Sequence, residues 1–187
     1  MSVRDKMDEF NINTNGFVSM VKPPAEEEYL GKMPASFKMI AALLGDLEDR
    51  DGHGKVFYRW DSSPEVLDRA AEIVRRAFPR DDGVEPTGVL VVTWENMRAR
   101  GTSERGDQQD SERNTFQLVV ASMESSSCAI LLYPRSGLQF VSTSIGGKTK
   151  VLEAGFNEGL HIGWFSTSQG TYFRSTSDDE NSIWELT

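Results

Sequence analysis

The chain predicts a β-rich α+β fold: antiparallel sheets of β-sandwich-like character with one long amphipathic helix packed on them. Three observations carry that expectation. Short runs rich in β-branched and aromatic residues recur along the sequence and are punctuated by turn residues. One segment departs from this and repeats its apolar residues at helical spacing. The 187 residues, 38% of them hydrophobic, suffice for one sizeable core, so a single domain over 1–187 is expected.

Taken in order, residues 11–20 read as strand-forming, with Asn15-Gly16 as a turn signal, and 55–60 (KVFYRW) alternate as a strand. Residues 63–78 (SPEVLDRAAEIVRRAF) place Val66, Leu67, Ala70, Ile73, Val74, Ala77 and Phe78 on one helical face. Ser63 before Pro64 reads as an N-cap with proline at the first helical position, Ser62 to Glu65 offers an alternative capping box, and Pro79 stops the helix. Glu65 stands four residues before Arg69, and Glu72 four before Arg76, so the outer face alternates in sign. Residues 88–95, 114–123, 128–133 and 137–143 read as an antiparallel meander, with further strands at 151–156, 161–165 and 171–174. Between Arg98 and Arg113 half of the residues are charged and no apolar period appears; 98–113 reads as a mobile charged surface loop. The run 39–44 is the longest nearly unbroken apolar stretch and is far too short to cross a bilayer.

Charge and cysteine usage narrow the function. Twenty Lys+Arg against 29 Asp+Glu give a net charge of −9, which offers no large positive field to a phosphate backbone and argues against nucleic acid. The opening MSVRDKMDEF has no apolar signal-like segment, and the lone Cys128 excludes an internal disulfide. Read literally, these features keep the chain in the cytosol and out of the membrane.

The chemical motifs point away from catalysis. The stretch 46–61 (DLEDRDGHGKVFYRWD) is dense in acids and glycines, but with Gly52 at the sixth place of a calcium loop the first falls on Leu47 and the twelfth on Tyr58. A less regular cation site at Asp46, Asp49 and Asp51 stays open beside the plainer reading, a glycine-bearing turn before a strand. His53, His161 and Cys128 lack the paired spacing of a zinc site. Gly147-Lys148-Thr149 mimics the tail of a P-loop, but the first glycine of that motif falls on Ser142, and a glycine-rich hairpin is expected instead. Arg75, Arg76 and Arg80 are either a solvated helix face or an acidic-ligand site. No G-x-S-x-G elbow is present, His161 reads as a structural strand histidine, and Cys128 reads as a small buried hydrophobe. No catalytic, cofactor-binding or metal residue is assigned, and no cofactor is expected.

The succession NTNGF (13–17), DLEDRDGHGKVFYR (46–59), Asp61 with the helical SSPEVLDRAAEIVRRAFP (62–79), VVTWE (91–95), NTFQLVVAS (114–122), CAILLYP (128–134) and GLQF (137–140) resembles the NIDO domain of the nidogen (entactin) family. The resemblance runs in order over nearly the whole chain. It implies a non-enzymatic extracellular module of a basement-membrane glycoprotein, with matrix proteins as partners in cell–matrix adhesion and matrix assembly, and it transfers no binding residue. The alternative is a calcium- or carbohydrate-binding β-sandwich domain, or an enzyme of that architecture, that uses the acids near 46–51. Similar domains carry a signal peptide and further strand-forming sequence upstream and a closing strand downstream. The chain therefore reads as a fragment trimmed at both ends, with SDDENS (177–182) resembling a helix cap and an unpaired sheet edge lowering its solubility. Cys128 replaces an aromatic of similar domains, and there is no N-glycosylation sequon.

Overall fold

The computed structural model describes residues 10–32, 35–50, 52–79, 84–101, 112–124, 126–158, 173–175 and 181–186. In chain order the strands are β1 (Asn11–Asn13), β2 (Phe17–Ser19), β3 (Lys38–Leu44), β4 (Leu47–Glu48) and β5 (Lys55–Asp61). Helix α1 (Pro64–Ala77) follows, then β6 (Gly88–Ala99), β7 (Asn114–Ser122), β8 (Ser127–Leu132), β9 (Ser142–Ile145), β10 (Lys148–Val151), β11 (Glu153–Glu158), β12 (Phe173–Ser175) and β13 (Asn181–Leu186). A short 3-10 turn at Glu26–Glu28 lies between β2 and β3. All strand pairing is antiparallel among the described residues. One sheet runs β1-β2-β3-β11; a larger one runs β12-β13-β8-β7-β6-β4, with β5 also on β6; β9 and β10 form a separate hairpin. The fold is thus β-rich α+β, with the meander β6-β7-β8 at its centre.

Strand β6 serves two partners along one edge. Its first half pairs with β5, from Lys55↔Glu95 to Asp61↔Val89, and its end pairs with β4 at Leu47↔Ala99 and Glu48↔Arg98. The switch falls at Asn96, which adopts a left-handed φ of 53° where the register against β7 shifts between Trp94 and Met97. An extra residue in one strand kinks it, which redirects the edge from one partner to the next.

Alternation then sorts the side chains. Leu90, Val92 and Trp94 of β6 join Phe116, Leu118 and Val120 of β7, Ala129 and Leu131 of β8, and Val18, Ala42 and Leu43 of the smaller sheet in one buried cluster. Trp94 stacks on Phe116 at 5.2 Å between centroids, and its indole Nε1 donates to the Asn13 carbonyl at 2.8 Å. The opposite face presents Val89, Val91, Ala121, Cys128 and Ile130 to α1, which buries Ala70, Ala71, Val74 and Ala77 against them. Here the expected amphipathic stripe lies on the sheet.

Two glycines are required by close approach. Gly16 closes the β1–β2 turn at φ 84°, where a Cβ would stand 2.2 Å from the Leu43 carbonyl oxygen. Gly88 lies beneath Trp60, whose ring would meet a Cβ at 2.0 Å. The β9–β10 hairpin turns through Gly146-Gly147, both with positive φ, as a two-residue loop matched to strand twist requires.

Several sequence expectations need correction. Residues 137–143 do not form one strand: the Asn114 side chain accepts from the Gln139 and Phe140 amides and donates to the Phe140 carbonyl, so backbone groups that a ladder would use are already engaged. The segment 151–156 is divided, with Val151 ending β10 and β11 beginning at Glu153 to pair with β3. The apolar run 39–44 is most of strand β3, which pairs with β2 on one side and β11 on the other. Asn181 and Ser182, read as part of a helix cap, open β13, which extends the larger sheet beside β8. The expected strand at 161–165 lies outside the described residues, and that at 171–174 is seen as β12 at Phe173–Ser175.

Candidate interaction surface

Asp46 and Glu48 sit where β4 leads away from the smaller sheet, and their partners are basic side chains at the far end of β6 and just beyond it. Glu48, nearly buried, pairs with Arg98 at 2.6 Å. Arg100 grips Glu26 through two contacts of 2.5 and 3.1 Å and lies 3.0 Å from Asp46 through Nε. The Arg100–Asp46 contact is an ion pair without hydrogen-bond alignment, since Asp46 Oδ1 and Arg100 Nε are both buried with no hydrogen-bond partner among the described residues. Beneath them Asn15, fully buried, donates to Glu26 Oε1 and Tyr29 Oη and accepts from the Leu47 amide.

The electrostatics of this cluster divide by partner. The hydrogen bond from Arg100 holds the Glu26 carboxyl below the usual carboxylate range. Burial pushes the Asp46 carboxyl up, and the Arg100 charge offsets only part of that. The Arg100 guanidinium is held above its ordinary value chiefly by its hydrogen bond to Glu26. Such an arrangement fastens three separate chain segments together.

Other residues singled out by sequence are placed as follows. Gly52 closes a turn by donating its amide to the Asp49 carbonyl, with φ 77°, and Asp51 lies outside the described residues. Among the described residues no group of three His, Cys, Asp or Glu side chains is placed to hold a metal ion. His53 is exposed, and His161 and Arg80 fall outside the described residues. Arg75 donates to the Val84 carbonyl at 2.8 Å, a structural role, whereas Arg76 faces a groove. Lys148 and Thr149 belong to the β9–β10 hairpin, and Cys128 is fully buried between α1 and the sheet. Ser63 precedes the helix as expected but makes no side-chain cap; Asp61 Oδ1 instead accepts from the Ser63 amide and hydroxyl. On the outer face Arg69 pairs with Glu72, three residues on, rather than with Glu65.

Sequence reasoning missed Glu26, Arg98 and Arg100. Arg98 and Ala99 belong to β6, and Arg100 continues it, so the charged stretch begins with structural residues; 102–111 lie outside the described residues. The one available signal was Asn15, recognised only as a turn residue.

The surface features that remain lie around β5 and α1. A groove of about 820 Å³ runs between α1 and the sheet, floored by Val89, Val91, Val119, Ile130 and Leu132 and rimmed by Arg59, Glu65, Asp68, Arg69, Glu72 and Arg76. Beside it β5 leaves Phe57 51% and Tyr58 59% exposed, large side chains for a surface strand. Among the described residues no helix is long and apolar enough to cross a membrane.

Comparison with known proteins gives a consistent result. A model of the nidogen-like domain matches residues 8–187. Mouse (Mus musculus) Nidogen-1 is 42% identical over 172 residues, which cover 91% of this chain and 14% of that protein. Human (Homo sapiens) Nidogen-1 is 40% identical over 180 residues, 95% of this chain and again 14% of the relative. Chicken (Gallus gallus) alpha-tectorin is 28% identical over 160 residues, 83% of this chain and 7% of the relative. The chain thus spans less than half the length of the curated relatives it matches, and 14% or less of these three. No solved structure matches it.

Proposed function

The chain belongs to the nidogen-like domain family, and from that premise we propose that it is a non-enzymatic module of the extracellular matrix. It works by protein–protein contact in a basement-membrane glycoprotein, supporting cell–matrix adhesion and matrix assembly. The observation that carries this reading is the identity of about 40% to Nidogen-1 over most of the chain. The geometry supports it. The acids at Asp46 and Glu48 are bound to Arg100 and Arg98, and Cys128 is sealed under α1, so these groups serve the scaffold. The scaffold itself is best understood as two β layers enclosing the Trp94–Phe116 cluster, with α1 outside them.

Fold alone does not specify function, so the test must read contact directly. Surfaces coated with the folded chain are compared with surfaces coated with the heat-denatured chain, for retention of solubilised basement-membrane proteins and for cell attachment. Saturable retention on the folded surface alone is expected. Equal retention on both surfaces, or none on either, would overturn the proposal.

A further inference from the structure

Among the described residues strand β5 lies at an edge of the larger sheet, and its sequence is complementary to itself. Its described pairing is to β6 alone, and its residues read Lys55-Val-Phe-Tyr58-Arg-Trp-Asp61. Turning a second copy about a two-fold axis at Tyr58 opposes Lys55 to Asp61, Val56 to Trp60, Phe57 to Arg59 and Tyr58 to itself. Lys55 and Asp61 carry opposite charge, and arginine over an aromatic ring is a favourable cation–π contact. Val56 with Trp60 and Tyr58 with Tyr58 are β-branched–aromatic and aromatic pairs, the kinds most favourable across strands. Of the side chains that would meet, Phe57 and Tyr58 are more than half exposed, and the Arg59 side chain is 60% exposed; Asp61, 21% exposed, already pairs with Arg59 at 3.2 Å, so Lys55 of the second copy would join that ion pair. The face opposite α1 carries Val56 and Trp60 packed against the main core, which holds the strand flat against β6.

From this geometry we propose that β5 is a homotypic docking strand, joining two copies of this chain edge to edge into one continuous antiparallel sheet. The contact is isologous, as a two-fold dimer requires. The other long strand with a single described neighbour, β11, lacks this property: self-pairing would set Glu153 against Glu158, and its register is broken between Glu153 and Gly155. In a chain of net charge −9, β5 carries two basic residues and one acidic one, so the general repulsion between copies is relieved at this edge. A seven-residue strand pair is smaller than the roughly 1,200–2,000 Å² of a standard interface, so the dimer is weak and forms with rising concentration.

The two-fold at Tyr58 supplies a specific test. The whole chain is followed by sedimentation equilibrium from about 10 to about 500 μM, a range that brackets weak association. Wild type is expected to dimerise. Tyr58→Lys and Tyr58→Glu each place like charges face to face and weaken the dimer about tenfold, while an equimolar mixture of the two recovers it as a heterodimer. Circular dichroism and thermal unfolding confirm that each variant folds; should either fail, Lys55→Glu, which faces Asp61 across the axis, takes its place and must weaken the dimer likewise. A wild type that stays monomeric throughout, variants that dimerise unchanged, or a mixture no tighter than its components would overturn the proposal. So would a monomer that takes up an unrelated extended peptide at Tyr58 and never a second copy.

Discussion

The two faces of the larger sheet are built from the same strands and differ in almost every physical respect. The inner face carries the large side chains Trp94, Phe116, Leu118 and Leu131, all essentially sealed from water, and is tied across to the smaller sheet by Tyr133, which donates to the Ala42 carbonyl at 2.6 Å. Burial pushes the Tyr133 hydroxyl up to about 12, so it remains a donor over the whole physiological range. The outer face meets α1 through alanines and valines, and part of it stays open as a groove. Small side chains let the helix approach closely but bury little area each, so the inner face carries most of the stability and the outer face less of it.

Truncation is the most direct way to break that contrast. Trp94→Ala removes a fully buried ring, its stack on Phe116 and its hydrogen bond to Asn13. Urea unfolding should show a loss of about 4 kcal/mol. Val74→Ala, the fully buried centre of the helix stripe, should cost about 2 kcal/mol, from two lost methyl equivalents and a small cavity. A larger loss at Val74 than at Trp94 would reverse the assignment of the two faces.

The polar cluster at the end of the sheets sharpens the comparison through pH. The folded state lowers the Glu26 carboxyl, so its stabilisation is present above the unfolded carboxylate range and is lost as pH falls through the folded value. Asp46 has the opposite sign: its raised carboxyl favours the native state on the acid side and loses that contribution as pH rises through the folded value. Glu26→Gln should therefore cost about 1 kcal/mol at neutral pH, a deficit that closes as pH drops below about 4. Asp46→Asn should change neutral stability by less, and its advantage over wild type should be greatest at neutral pH and shrink on acidification. Guanidinium titrations at several pH values separate the two slopes.

How much of this was legible in the sequence follows from the range of each signal. The β6-β7-β8 meander and α1 announce themselves locally, since period and turn residues lie within each element. Strand β3 does not: Ala41, Ala42, Leu43 and Leu44 are all buried, so alternation vanishes and only an apolar run remains. The segment 137–143 misleads for a different reason, because an amide side chain some 25 residues earlier claims its backbone. The Glu26–Arg100 contact spans 74 residues, and no local pattern encodes a partner at that distance. Arginines read as the start of a solvated loop turned out to be the clasp at the end of the sheets.

The smallest expected effect tests the junction of the two regions, where β5 passes into α1. Sequence pattern assigns the helix cap to Ser63, yet Asp61 Oδ1 receives both the Ser63 amide at 3.0 Å and its hydroxyl at 2.7 Å. Those bonds hold the Asp61 carboxyl below its usual value. Ser63→Ala keeps the amide bond and deletes only an exposed hydroxyl, so it should cost a few tenths of a kcal/mol instead of the roughly 1 kcal/mol of a true cap. Asp61→Ala removes the acceptor for both and should cost more than Ser63→Ala. If thermal unfolding ranks them the other way, the turn into α1 is organised by the serine, and the aspartate acts chiefly through its 3.2 Å pair with Arg59 on β5.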